Sequence, residues 1–205
     1  MGLTTATIRA HLDEVAKNDP QVAAAIDRVG YPEERIRETG YRTLLRTIVG
    51  QQVSVAAASS VWSKLESELG DEMLAAELLA RDFDTLRACG LSRQKQGYAR
   101  SLCELVVSGE IDLEDLPSDD EAAIEKLTRI KGIGRWSAEI YLLFAEGRPD
   151  IWPAGDLAVQ IACGKLLNLD NRPSEKETRA LAEKWRPHRG AMAIFTWHSY
   201  ADPAL

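Results

Sequence analysis

The feature that most constrains the fold of this chain is a pair of glycines, Gly132 and Gly134, separated by one aliphatic residue and flanked by helical patterns. Glycine adopts positive φ angles readily and lets another group come close to the backbone. A helix beginning near Arg135 would also present unpaired N–H groups and the positive end of its dipole. Residues 127–139 therefore predict a helical hairpin whose backbone can contact a phosphate, with Ile133 anchoring the turn in the core.

Helical periodicity extends through nearly the whole chain. Apolar residues recur every three or four positions, and no segment shows the alternation that is typical of a strand. A chain of 205 residues that is 45% hydrophobic can bury a core as one domain or as two small subdomains sharing a cleft. We therefore expect an all-α fold of about nine or ten helices, with residues 1–205 forming a single domain of two helical subdomains and the hairpin motif at about residues 124–144.

Helix boundaries are indicated by the residues that commonly cap helices. Serine at a helix start accepts a backbone N–H bond, and a glutamate three residues later completes a capping box. Glycine is common just past a helix end. The predicted starts are Ser54, Ser92, Ser118 with Glu121, and Ser174 with Glu177, and the predicted ends are Gly70, Gly90 and Gly109.

Net charge argues against broad attraction to nucleic acid, because the chain carries a formal charge of −7. The charge is unevenly distributed, however. Residues 126–135 and residues 91–100 contain lysine and arginine without any acidic residue. This pattern indicates one basic face and an acidic back, although charged helix faces are more often simply solvated.

The cysteines and the apolar stretches exclude several classes of protein. The three cysteines, Cys89, Cys103 and Cys163, are odd in number, widely spaced and surrounded by apolar residues. We interpret them as reduced core thiols, not as a disulfide framework or a metal site. No apolar stretch reaches the roughly 20 residues of a membrane span, and the N-terminus has no signal-peptide pattern, so we expect an intracellular protein without a membrane partner.

Five segments occur in order along the chain: residues 48–57, 90–95, the hairpin 127–138, Asp156 with its neighbours, and 185–197. Together they closely resemble the helix-hairpin-helix superfamily of DNA glycosylases, in particular the 3-methyladenine DNA glycosylase II type. The resemblance covers about residues 40–200, and it implies a DNA-binding cleft between the two subdomains and a catalytic Asp after the hairpin. Residues 1–40 are too few for the N-terminal sheet domain of larger members, so the chain resembles a compact form.

The resemblance implies a role for individual residues. Asp156 matches the catalytic aspartate, and Gln52 falls where the family places a side chain that wedges into the duplex at the vacated base. Trp136 and Trp197 match aromatic positions that line the base pocket. Ile140 stands where some relatives have another pocket aromatic, which changes the shape of the pocket.

Contacts with the DNA backbone are expected from the hairpin and from Arg93 and Lys95 in the basic segment 91–100. Arg189 is a further candidate phosphate contact. The expected DNA-binding residues are Gln52, Arg93, Lys95, Lys131, Gly132, Ile133, Gly134 and Arg135.

A comparison within the superfamily implies the reaction. Relatives that also cut the strand place a lysine two residues after the second hairpin glycine, where this chain has Trp136. Because an indole cannot form a Schiff base, the resemblance implies a monofunctional hydrolase. No cysteine follows Cys163, so the iron-sulfur cluster of certain relatives is not expected. No cofactor is required, although the family often binds a structural Na⁺ or K⁺ through hairpin carbonyls, here those of Thr128, Ile130 and Ile133.

Simpler interpretations remain for single residues. An aspartate after a proline is usually a helix N-cap, Gln52 could cap or cross-link a helix end, and tryptophans are usually core residues. For the whole chain we favour a monomeric glycosylase that removes alkylated purines from double-stranded DNA. The alternatives are a non-catalytic helix-hairpin-helix DNA-binding module and a helical scaffold without a nucleic-acid partner. Asp156 discriminates between the first two, because a pure binding module needs no carboxylate facing phosphates.

Overall fold

The computed structural model describes residues 2–201, which contain helices and no strand. The all-α prediction is confirmed, but nine or ten helices was too few because several helices are only six or seven residues long. A π-helical turn at Leu142–Glu146 follows the ninth helix, and a 3₁₀ turn at Ala182–Trp185 follows the eleventh. The α-helices of the described part of the chain are α1 Thr5–Asn18, α2 Pro20–Val29, α3 Tyr41–Gly50, α4 Val55–Leu69, α5 Ala75–Ala80, α6 Phe83–Ala88, α7 Arg93–Val107, α8 Asp120–Thr128, α9 Arg135–Tyr141, α10 Leu157–Leu166, α11 Glu175–Leu181 and α12 Arg189–Ala201.

Most of the predicted helix boundaries are confirmed. Ser54 and Ser92 cap α4 and α7 through their hydroxyl groups, and Ser174 and Glu177 form the predicted capping box of α11. The three predicted end glycines lie at or just past helix ends with positive φ angles. These angles are 80° at Gly70, 102° at Gly90 and 74° at Gly109.

One predicted boundary is wrong. The helix α8 is not started by a capping box of Ser118 and Glu121, because Asp119 is its N-cap and accepts a hydrogen bond from the Ala122 N–H at 2.8 Å. Both residue types cap well, and their neighbouring positions in the sequence made the choice ambiguous.

The described chain forms two compact units, of which one is Glu38–Tyr141. Within it α7 packs against α3, α5 and α6, while α3 also packs against α4 and α9, and α8 packs against α9. The core contains fully buried side chains of α3 and α7, such as Leu45, Ile48 and Leu102. Most helices of this unit therefore pack against α3 or α7.

The second unit combines the described residues up to Arg37 with those from Leu142 onward. Here α10 packs against α2, α11 and α12, and α1 packs against α2 and α12. Two buried indoles, Trp152 and Trp185, meet edge to face with their ring centroids 5.5 Å apart. This packing confirms Trp185 as a core residue, as Trp62 is in the other unit.

The cysteines have the predicted character. Cys89, Cys103 and Cys163 are buried free thiols. Burial raises the pKa of Cys103 and of Cys163 to about 11, so both thiols are protonated at neutral pH. Among the helices at residues 2–201, none has the length and apolar character needed to span a membrane.

A buried carboxylate joins the N-terminal helices to the 3₁₀ turn at Ala182–Trp185. Asp19 caps α2 and accepts hydrogen bonds from Trp185 Nε1 at 2.9 Å and from the Lys184 ammonium at 2.7 Å. Burial alone would raise the pKa of Asp19, but the hydrogen bonds from Lys184 and Trp185 outweigh it and hold this pKa below its ordinary value. The ionised carboxylate therefore stabilises the folded unit.

We predict that Asp19→Asn lowers the free energy of unfolding by about 2 kcal/mol at pH 7, since it removes charge-assisted hydrogen bonds. A lowered folded-state pKa stabilises at pH values above the unfolded pKa of about 3.9, and this stabilisation is lost as the pH falls through the folded value. Urea unfolding at pH 7 and at pH 3 should show the difference between wild type and variant shrinking at low pH. The exposed Asp170→Asn is the control, and a difference for Asp19→Asn that did not depend on pH would contradict the assignment.

Candidate functional site

The predicted hairpin is present between α8 and α9. Gly132 has a φ of 85°, and the N–H of Ile133 closes the turn by donating to the Ile130 carbonyl at 3.0 Å. Ile133 is 3% exposed, so it anchors the turn as predicted. Gly134 does not adopt a positive φ, but an added Cβ there would meet no atom within 4 Å. The second glycine therefore leaves open space beside the backbone.

The hairpin is held against α7 by two contacts. The Tyr98 ring fills the space beside the Gly132 Cα, where an added Cβ would lie 2.3 Å from Tyr98 Cδ2. The N–H of Lys131 donates to Ser101 Oγ at 3.2 Å. Only glycine satisfies both the backbone angle and the close approach of the ring at position 132.

The amides of the turn are available to an anion. Among residues 2–201 the N–H groups of Gly132 and Gly134 have no hydrogen-bond acceptor, and Gly134 is exposed. They immediately precede the positive end of α9, where the helix dipole favours negative charge. Such an arrangement can bind an anion such as phosphate without requiring a high net positive charge.

The predicted basic face is weaker than the sequence alone indicated. The guanidinium of Arg135 pairs with Glu121 at 2.5 Å and with Glu139 at 3.0 Å, and Arg129 pairs with Glu110 at 2.5 Å. The acidic partners Glu110, Glu121 and Glu139 lie outside residues 126–135, so the sequence of that segment could not indicate these ion pairs. The interpretation of residues 126–135 as an unopposed basic cluster is therefore wrong for two of its cations.

The basic residues of α7 differ from one another. Lys95 is half-buried and its ammonium donates to the Val49 carbonyl at 2.7 Å, so it caps the end of α3. Burial also lowers the pKa of Lys95. Arg93 in the same turn is exposed, as is Lys131 in the hairpin. Direct phosphate contacts fit Arg93 and Lys131 better than they fit Lys95.

The carboxylate of Asp156 is fixed by two donors. It is the N-cap of α10, and its Oδ1 accepts from the Val159 N–H at 3.0 Å and from Trp197 Nε1 at 3.1 Å. The preceding turn is held by Gln160 Nε2, which donates to the Ala154 carbonyl at 2.8 Å. Asp156 remains half-buried, so its side chain is oriented but not sealed from solvent.

An aromatic group that the sequence did not indicate lies beside the Trp197 ring. The Phe144 ring is 5.5 Å from the Trp197 ring, and the guanidinium of Arg37 lies 5.7 Å from the Phe144 centroid. Phe144 belongs to the π-helical turn after α9, where no helical periodicity points to a particular face. The pattern of apolar residues therefore could not indicate that Phe144 contacts Trp197.

The remaining predicted pocket residues lie in the other unit. Trp136 is 47% exposed and Ile140 is buried at 6% exposure, and both belong to α9 in the unit Glu38–Tyr141. The structure thus brings Asp156 and Trp197 into direct contact within one unit. The base pocket formed by Trp136, Ile140 and Trp197 stays a prediction.

One proposed phosphate contact is wrong. Arg189 is buried, and its guanidinium pairs with Asp150 at 2.8 Å and with Glu183 at 2.9 Å. Its charge is therefore neutralised inside the fold at the start of α12. The sequence could not show this pairing, because Asp150 lies 39 residues away along the chain.

The sequence pattern of the HhH-GPD superfamily, described as base excision DNA repair proteins, matches residues 45–188, which include the hairpin and Asp156. The chain belongs to this superfamily. Its match to DNA-3-methyladenine glycosylase 1 of Schizosaccharomyces pombe is 30% identical over 199 residues and covers 95% of this chain and 86% of the relative.

Two solved structures are similar to this chain over most of its length. DNA-3-methyladenine glycosidase from Bacillus halodurans superimposes with a TM-score of 0.87 at 28% identity, covering 95% of this chain and 90% of that one. The 3-methyladenine DNA glycosylase of S. pombe, solved in complex with abasic DNA, gives 0.77 at 30% identity, covering 92% and 95%. The resemblance to 3-methyladenine DNA glycosylases predicted from the motifs is confirmed.

The HhH-GPD hairpin offers a matched pair of glycine substitutions. We predict that Gly132→Ala lowers the free energy of unfolding by about 2 kcal/mol or more, because alanine meets both an unfavourable φ and the Tyr98 ring. Gly134→Ala should cost less than about 1 kcal/mol, since its φ is ordinary and its surroundings are open. Chemical denaturation measures both values, and equal losses would show that the ring contact does not constrain position 132.

Proposed function

We propose that this chain is a monofunctional DNA glycosylase of base excision repair that flips out alkylated purines and hydrolyses the N-glycosidic bond, leaving an abasic site. The observation that carries the proposal is the Asp156 carboxylate, which Val159 and Trp197 orient, in a chain of the HhH-GPD superfamily. Trp136 occupies the position at which strand-cutting relatives have a lysine. The indole cannot attack the sugar, so the strand stays intact.

The chemistry follows from the substrate. Alkylation at a purine ring nitrogen makes the base cationic, so it leaves as a neutral base that takes the electron pair of the glycosidic bond. The sugar becomes positively charged in the transition state, and the carboxylate of Asp156 stabilises that charge. Asp156 also orients the water that attacks C1′ of the sugar. This water then loses one proton to solvent. The enzyme therefore needs extrusion and electrostatics more than a strong acid.

We propose that Trp136, Ile140 and Trp197 receive the extruded base. An aromatic face over a cationic base contributes about 0.5 to 2 kcal/mol, depending on how much water is excluded. The indole of Trp136 is 47% exposed, and the indole nitrogen of Trp197 donates to Asp156. Trp197 therefore links base recognition to the orientation of the carboxylate.

Binding to double-stranded DNA is proposed to rest on the hairpin and the loop before α4. The amides of Gly132 and Gly134 contact a phosphate, with Ile133 fixing the turn. Gln52 fills the gap left by the extruded nucleotide. Arg93 and Lys131 supply charge, while Lys95 and Arg135 act through their internal partners, Val49 and two glutamates, instead of through phosphate.

Because only Arg93 and Lys131 are proposed to supply charge to phosphates, the affinity for DNA should depend only weakly on salt concentration. If Arg93 and Lys131 are the main cations facing phosphates, a plot of log affinity against log salt should have a slope of about −2. Lys131→Ala should make the slope less steep by about 1, whereas Lys64→Ala, an exposed lysine on α4, serves as the control. Fluorescence anisotropy across a salt series measures the slopes, and a slope steeper than about −5 would show that many more cations contact DNA.

We further propose a structural Na⁺ or K⁺ at the hairpin, held by the carbonyls of Thr128, Ile130 and Ile133. The geometry fits in one respect: the Ile130 carbonyl accepts the Ile133 N–H at 3.0 Å, and a carbonyl oxygen has a second lone pair for a cation. A bound cation would favour the carbonyl orientation of the turn. Its role would be structural and not catalytic.

We propose that one chain acts as a monomer, because a single chain carries both the hairpin and Asp156. A protein that repairs DNA acts where the genome lies, in the nucleoid or the nucleus. The proposed substrate, genomic DNA, supports this location.

Asp156→Asn separates catalysis from folding, because asparagine is as good an N-cap as aspartate and its carbonyl oxygen can accept from the same donors. We predict that the variant folds and binds DNA normally but releases alkylated bases about 100-fold more slowly or worse. Single-turnover release of free base from methylated duplex DNA measures the rate. Asp82→Asn, which changes the aspartate N-cap of α6, is the matched control and should keep the wild-type rate.

The same assay separates the two leading functions. Release by wild type without strand cleavage supports the monofunctional glycosylase. Wild type that binds DNA yet releases no base from any alkylated or deaminated duplex would favour a binding module instead.

A further inference from the structure

The loop between α3 and α4 carries a strained residue. Gln52 has a φ of 54°, in the left-handed region that side chains other than glycine seldom adopt. Gln52 and Val53 are both exposed. A strained backbone of this kind persists only when the structure around it holds it in place.

Both ends of this loop are anchored within the same unit. The Lys95 ammonium binds the Val49 carbonyl at 2.7 Å, which satisfies an orphan carbonyl at the end of α3. At the other end the hydroxyl of Ser54 accepts the Ala57 N–H at 3.2 Å and starts α4. The loop therefore has little freedom to relax the conformation of Gln52.

A third contact ties the loop to the hairpin. Gln51 is half-buried, and its side-chain Nε2 donates to the Gly132 carbonyl at 2.8 Å across 81 residues of sequence. The other side of the same peptide, the Ile133 N–H, donates to the Ile130 carbonyl. Gln51 thus begins a chain of hydrogen bonds that fixes the orientation of the turn, and such chains strengthen one another.

We propose that Gln51 is a positioning residue for base extrusion, because its amide couples the loop carrying Gln52 to the hairpin. When the hairpin amides hold a phosphate, the coupling sets the place at which Gln52 enters the duplex. Gln51 touches neither the base nor the sugar and acts through Gln52 and Gly132. This inference rests on the proposed glycosylase function.

The coupling predicts a dependence on base pairing. Flipping a paired base requires the wedge to enter while the backbone is held, whereas an unpaired base costs less free energy to extrude. Loss of the Gln51 amide should therefore slow the release of a paired lesion much more than the release of the same lesion without a partner. A mere loss of stability would slow both substrates equally.

The test uses Gln51→Leu, which keeps the bulk but removes the donor, and Gln51→Asn, whose amide is one methylene shorter. The matched control is Gln96→Leu, which removes a similar amide-to-carbonyl bond in the same unit, from Gln96 Nε2 to the Leu91 carbonyl at 3.0 Å. Circular dichroism and thermal unfolding confirm folding. Single-turnover release is measured for the alkylated purine that wild type releases fastest, placed opposite its normal partner or opposite an abasic analogue.

For Gln51→Leu we expect release of the paired lesion to fall about fivefold, the effect of one net hydrogen bond, and release of the unpaired lesion to fall less than about twofold. Gln96→Leu should leave the ratio of the two rates unchanged. In a Gln52→Ala background, Gln51→Leu should have little further effect, because both changes act on the same step.

Equal slowing of both substrates by the Gln51 variants, no slowing of either, or additive effects with Gln52→Ala would overturn the positioning role while leaving the glycosylase function intact. Absence of base release by wild type would instead overturn the proposed function, and this inference with it.

Discussion

The position of the hairpin depends on the contact between the Tyr98 ring and the Cα of Gly132. Tyr98 lies on α7, and neighbouring residues on the same face of this helix hold the end of α3 and the Lys131 amide. Lys95 holds the end of α3 three residues earlier, and Ser101 binds the Lys131 amide three residues later. Side chains three apart share a helix face, so one stripe of α7 positions both the hairpin and the loop that carries Gln52.

The fixed position of the hairpin also explains how a chain with a net negative charge can bind DNA, which is itself a polyanion. The formal charge is −7, and two of the cations in the hairpin segment are already paired with acids. In the proposed DNA contact, backbone amides and a helix dipole, whose partial charges lie at a fixed place, carry most of the phosphate binding. Such contacts depend on turn geometry more than on charge, so the packing that fixes Gly132 replaces a basic surface. At physiological salt the charges on other faces are screened beyond about 8 Å and oppose binding only weakly.

The fold was predictable where local sequence chemistry decides the structure. Helical periodicity, the serine caps and the end glycines depend on neighbours within four residues, and these predictions largely agree with the structure. The errors concern contacts that are distant in sequence. Arg189 is a candidate phosphate contact by sequence, but it pairs with Asp150, which lies 39 positions away. Likewise, nothing in the Gln51-Gln52 pair indicates that the first glutamine reaches the Gly132 carbonyl. Phe144 was missed for a different reason, since a π-helical turn disrupts the periodicity that sequence reasoning uses.

Asp156 shows why the ordinary and the functional interpretation of a residue need not exclude each other. An aspartate in this position was expected to be either an N-cap or a catalytic group, and it does cap α10. Capping places the carboxylate at the positive end of a helix, where negative charge is favoured, and limits its rotation. A cap alone, however, does not require a second donor from another helix. The Trp197 indole supplies such a donor across 41 residues, and a carboxylate oriented in this way suits the catalytic role proposed for Asp156.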